Sequence, residues 1–147
     1  MHFLDTITIT IAGLMVGNEL AVTAFFNPAV WQLERTPQAQ ALSLLAGSLG
    51  RVMPVWYGLC LALLALESFL HRRQAALVLL LTATLIWAGV IVFTISVLVP
   101  INNRIASLNT ASTPGWKQDH KKWDSLHRVR TLLLLVALLA LIYALVA

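Results

Sequence analysis

The stretch AALVLLLTATLIWAGVIVFTISVLV, residues 75–99, decides the fold, because it runs for its whole length without a charged side chain. A helix rising ~1.5 Å per residue needs ~20 residues to cross a ~30 Å hydrocarbon core, and this segment exceeds that length. Lipid offers no water to satisfy backbone N–H and C=O groups, so a helix is the state such a segment adopts. Outward from it stand three more apolar segments of similar reach, at residues 7–26, 52–70 and 131–147. Together they predict an all-α fold: a four-helix transmembrane bundle forming a single integral membrane domain over residues 1–147.

The composition agrees. Hydrophobic residues make up 59% of the chain and charged residues only 11%, whereas a soluble domain is typically ~25% charged. The formal net charge of +4 is small and scattered. Outside residues 115–130 no basic arm interleaved with aromatics is present, which argues against a nucleic-acid partner. The single cysteine, Cys60, excludes an intrachain disulfide, a thiolate zinc cluster and a CxxC redox centre. The N-terminal MHFLDT carries Asp5 where a signal peptide has a basic region, so the first apolar segment is expected to remain in the mature protein.

The junctions carry the detail. Gly13, Gly17 and Ala21 repeat at the spacing of a close helix–helix contact. Asn27-Pro28 is expected to stop the first helix and Pro100 to kink or end the third. Residues 36–49, TPQAQALSLLAGSL, read as a short amphipathic helix at the interface before the second crossing. Trp56 and Tyr57 read as interfacial aromatics. Glu67 and the turn His71-Arg72-Arg73-Gln74 read as solvated structural charge. Thr113-Pro114 supplies an N-cap and first-position proline for the last helix.

That last helix begins with a polar run, GWKQDHKKWDSLHRVR, residues 115–130. Steps of four, three, four and three place Trp116, His120, Trp123, His127 and Arg130 on one side. Lys117, Lys121, Lys122, Asp124 and Arg128 fall on the other, as solvated charges. Trp123, His127 and Arg130 are expected to reach the site, while Trp116 and His120 stay at the interface. Of the ten Lys and Arg residues, only Arg72 and Arg73 lie on the side of the 2–3 turn. The excess elsewhere predicts a multi-pass protein with the polar 3–4 connection in the cytoplasm.

One membrane face therefore collects Asn18, Glu19, Asn27, Arg51, Asn102, Asn103, Arg104, Trp123, His127 and Arg130. A carboxylate at the depth of Glu19 costs ~2.5–3.5 kcal/mol to insert, so it needs a partner; Arg51, near the same membrane face, reads as either that cation or a snorkelling anchor. Glu19 and His127 are the candidate catalytic pair, with His127 as general base. Asn18, Arg51, Asn102, Asn103 and Arg130 are candidate substrate donors for a developing oxyanion, and Trp123 a platform for a flat ring. The bland alternative makes the same groups interhelical glue. His120 and His127 are two helical turns (~10 Å) apart and cannot easily share an ion, so no metal ligand set is assigned and the cofactor is left unknown. Haem lacks a second axial ligand.

The motifs GNELAVTAFFNPAVW (17–31), LGRVMPVWY (49–57), VPINNRIA (99–106) and WDSLHRVR (123–130) resemble the anthrone oxygenase-like family of small four-helix membrane proteins. VPINN followed by W-x3-H-x2-R is the most specific part. The resemblance implies oxidation of anthrones to anthraquinones with dioxygen as co-substrate. It also implies site positions at Asn102, Asn103, Trp123, His127 and Arg130; Glu19 and Arg51 rest on burial and charge alone. The expectation is a membrane oxygenase-like enzyme for a flat, lipophilic phenolic, anthrone-like or quinone-like substrate. The alternative is a non-enzymatic scaffold or subunit binding a lipid, quinone or partner protein. A transport role needs a homo-oligomer to form a pathway.

Overall fold

The computed structural model describes residues 2–108 and 112–146. Four long helices account for nearly all of them. Helix α1 covers His2–Ala21 and continues through a π-helical turn, Val22–Phe26, into Asn27–Trp31. Helix α2 is Arg35–Leu70. Helix α3 covers Leu77–Phe93, passes through a second π turn, Thr94–Leu98, and ends as Val99–Ala106. Helix α4 is Trp116–Val146. All four are long and apolar enough to cross a membrane. Each packs on its neighbours in sequence, and α4 closes the ring against α1.

Pro28 does not stop its helix as expected, and at Pro100, where a kink or an end was expected, the helix does not end; one residue separates each proline from a π turn. A proline ring collides with the carbonyl four residues back, and a turn one residue wider gives it room. The N–H of Asn27 accordingly bonds the Val22 carbonyl, and that of Val99 the Thr94 carbonyl, each five residues back. Residues 36–49 are helical as expected but do not form a separate interfacial helix. They are continuous with the second crossing, with Pro54 inside the helix. At ~1.5 Å per residue α2 is ~54 Å long, some 24 Å more than a ~30 Å hydrocarbon core takes up.

The surplus length builds a cap on one end of the bundle. Within the span, Met15, Leu64, Leu80, Trp87, Leu134 and Leu141 form the apolar core. In the cap a second cluster gathers Val30, Leu42, Leu98, Ile105, Trp116 and Trp123. The connection at 107–115 joins α3 to α4; its residues 109–111 lie outside the described residues. Gly115 sits at φ +77, a left-handed conformation natural to glycine. Helix α4 starts just after it, two residues beyond the expected Pro114.

Four further expectations are corrected. Tyr57 is buried in the core; its neighbour Trp56, half-buried, donates from Nε1 to the Ile11 carbonyl at 3.2 Å. Gly13 and Gly17 are not close-packed within the chain, since an added Cβ would meet nothing within 4 Å. Glu67 and His71 are buried, not solvated. At the end opposite the cap, Thr8 Oγ1 donates to Glu67 Oε1 at 2.9 Å, tying α1 to α2. Asp124, read as a solvated charge, is buried in the cap.

Candidate functional site

Where the cap meets the span, α1 contributes Glu19, α2 Tyr57, and α4 His127 and Arg130, all buried. Arg130 Nη2 donates to Glu19 Oε2 at 2.7 Å and lies 2.8 Å from His127 Nδ1. Guanidinium nitrogens only donate, so Nδ1 is the acceptor and the ring proton sits on Nε2. From there Nε2–H donates to the Glu19 carbonyl at 3.3 Å. His127 is thus a neutral imidazole with both nitrogens engaged, its Nδ1 3.3 Å from Glu19 Oε2. The Glu19 carboxylate and the Arg130 guanidinium cancel each other's charge, which is how an ionised glutamate persists at 2% exposure. The Arg130 guanidinium carbon lies 5.6 Å from the Tyr57 ring centroid.

The partner of Glu19 is therefore Arg130 and not Arg51. Arg51 points outward, is exposed, and makes no ion pair among the described residues. The α4 stripe, on the helix that closes the ring against α1, reaches Glu19 instead.

One turn further into the cap, Trp123 stacks on His127 with ring centroids 4.6 Å apart and planes at 11°. Asn27 Nδ2 donates to Asp124 Oδ1 at 2.8 Å, and Arg128 Nη2 to Asp124 Oδ2 at 2.9 Å. Beyond them Trp31, the last residue of α1, stacks on His120 at 4.1 Å and 11°. His120 was expected at the interface; it is fully buried, and neither ring nitrogen has a hydrogen-bond partner among the described residues.

The remaining sequence candidates are dispersed. Asn18 is half-buried and donates to Met53 Sδ at 3.6 Å. Asn102 donates to the Ala46 carbonyl at 3.1 Å, close over Gly50, and Asn103 is exposed. Arg104 forms a two-pronged pair with Asp119, at 2.9 and 2.7 Å, bracing α3 against α4. Asn27, Asn102 and Trp123 line a void of about 20 Å³, with room for one water and no more.

The sequence reading missed Tyr57, Asp124 and the burial of His120. A signal existed for the first: Tyr57, Cys60, Leu64, Glu67 and His71 follow steps of three, four, three and four, one helical face, and all are buried. Asp124 lies one position from Trp123, at the edge of the α4 stripe, but its partner Asn27 is 97 residues away and nothing local announces it. Asp5, Glu67 and His71 each place one potential metal-ligand atom within 4.8 Å of the others, at the far end from this site.

The profile of a known family, described as Anthrone oxygenase, matches residues 48–140, well over half of the chain. The chain belongs to the anthrone oxygenase family. The match includes Asn102, Asn103, Trp123, His127 and Arg130, and it leaves Glu19 to the structure. No curated protein and no solved structure matches the chain.

Proposed function

We propose that this member of the anthrone oxygenase family is a membrane oxidoreductase acting on a flat, lipophilic, phenolic substrate of the anthrone type, at the Glu19–His127–Arg130 cluster. The observation that carries the reading is a buried neutral imidazole held beside a fixed cation. In the resting arrangement Arg130 occupies the His127 lone pair. An acidic substrate hydroxyl inserted between them gives its proton to Nδ1 and leaves its oxyanion to Arg130, with the Glu19 carboxylate stabilising the imidazolium. In the overall conversion a ring CH2 and O2 become a ring C=O and water, so dioxygen takes up all four electrons. Trp123, stacked on His127, keeps the imidazole plane fixed while the proton moves.

Oxygen uptake and quinone absorbance with purified protein and an anthrone test this. His127→Gln is expected to lower turnover by ~10²-fold or more. Unchanged turnover would sink the assignment.

A second reading has its own observation. Glu19, His127 and Arg130 bond one another, and the nearby void holds no more than a water. That supports a scaffold or subunit in which the cluster joins α1 to α4. On this reading no anthrone is consumed, and His127→Gln lowers stability alone.

A further inference from the structure

At the end of the bundle away from the cap, α2 closes on two ionisable side chains that neither reading uses. Glu67 has no exposed surface, and His71, the residue that caps α2, is buried as well. They stand four residues apart, on one helical face. Asp5 reaches the same place from α1, so that one ligand atom from each of the three lies within 4.8 Å of the other two. One turn along α1, Thr8 donates to Glu67 Oε1 at 2.9 Å. The carboxylate is only half used by that bond. Oε2 is buried without a hydrogen-bond partner, and His71 Nδ1 stands 3.5 Å from it. Nδ1 itself lies 3.0 Å from the Glu67 carbonyl, which can only accept, so without metal the ring hydrogen on Nδ1 serves the backbone. Arg72 and Arg73 follow in the turn but are exposed, and among the described residues neither pairs with Glu67. A buried carboxylate oxygen left without a donor is costly, and is retained where an ion or water completes it.

We propose that Asp5, Glu67 and His71 hold a divalent transition-metal ion, with zinc the ion that fits them best. One imidazole and two carboxylates are a nitrogen–oxygen set that zinc takes, and the two carboxylates neutralise its charge. Calcium and magnesium prefer all-oxygen shells, so the imidazole argues against them. Ligand atoms ~2.0 Å from a tetrahedral ion stand ~3.3 Å apart, close to the 3.5 Å between Glu67 Oε2 and His71 Nδ1. Asp5 closes the remaining distance by rotating its side chain. Loading places the ring hydrogen on Nε2 and frees the Nδ1 lone pair for the ion. The Thr8 hydroxyl fixes Oε1 and so keeps Oε2 turned to the ion, as outer contacts to metal ligands do. Three protein ligands leave a fourth position for water. Because the ligands come from both α1 and the end of α2, the ion clips the first crossing to the second and stabilises the folded bundle.

The test uses the full chain in detergent, stripped with EDTA and dialysed against zinc. Bound metal is counted by elemental analysis and affinity is read by calorimetric titration. One zinc per chain is expected. Thr8→Val is expected to bind about tenfold more weakly, and Glu67→Gln and His71→Gln at least about a hundredfold, since losing a ligand exceeds the ~10–100-fold cost of losing an outer contact. Glu34→Gln, an exposed acid at the start of α2, is expected to bind as the wild type does. Zinc is expected to raise the unfolding midpoint of the wild type and to leave that of Glu67→Gln unchanged. Glu67→Gln keeps an acceptor for Thr8, so its midpoint without zinc reports whether the α1–α2 tie survives the substitution. If the cluster is a structural tie alone, zinc leaves the wild-type midpoint where it was and the proposal falls. It falls equally if Glu67→Gln and His71→Gln keep wild-type affinity, which would mark the bound zinc as an adventitious ion only.

Discussion

Glu19 and Arg130 show how a charged pair can be both costly and necessary. Each alone would be an uncompensated charge in a low-dielectric interior; together, with His127 bridging, they are neutral. Glu19→Gln is expected to cost about 3–5 kcal/mol, because it strands Arg130. The double substitution Glu19→Leu with Arg130→Met is expected to recover most of that loss, since it leaves no charge behind. Reversible unfolding of the three variants in mixed micelles would show it, and a double variant as unstable as the single one would count against the pairing. The place of His127 on the α4 stripe is legible in the sequence. The tautomer of His127 is not, because that depends on a 2.8 Å contact with Arg130 and a 3.3 Å contact with a carbonyl 108 residues away.

Among the elements, α1 and α3 repeat one device: a π turn, then a proline, then a short helical extension into the cap. The extensions carry Asn27 and Trp31 on α1, and Asn102 and Arg104 on α3, so the cap exists because neither proline ends its helix. Proline placement alone predicted a stop at Pro28 and a kink or a stop at Pro100, since the local clash is visible in sequence and the wider turn that relieves it is not. The glycines of α1 supply a separate test. A Cβ at Gly13 or Gly17 meets nothing within 4 Å, and alanine is favoured over glycine inside a helix by roughly 0.5–1 kcal/mol. Gly13→Ala and Gly17→Ala are therefore expected to raise the unfolding midpoint slightly in a monomer. A fall accompanied by loss of a larger species on size-exclusion would show that the small-residue stripe packs against a second copy of the chain.

For the whole molecule, the direction of insertion follows from charge. With eight of ten Lys and Arg residues on the cap side or at its mouth, we propose that the cap faces the cytoplasm. A cysteine placed at the exposed Lys121 is then expected to react with a membrane-impermeant thiol reagent only in inside-out vesicles, and one at Arg72 only in right-side-out vesicles. Cys60 is buried and should contribute little background. The reverse pattern would invert the topology without altering the site. The number of spans, their helical state and the chemical character of the α4 stripe were all determined by sequence, because hydropathy and helical spacing act within ~20 residues. The tertiary structure decided what long-range contact alone can decide. It chose Arg130 over Arg51 as the partner of Glu19, buried Asp124 against Asn27, merged the supposed interfacial helix into α2, and left His120 unpaired beneath Trp31. Each of these depends on which faces of α1, α2 and α4 meet, and burial turns those meetings into strong interactions only once the bundle has closed around them.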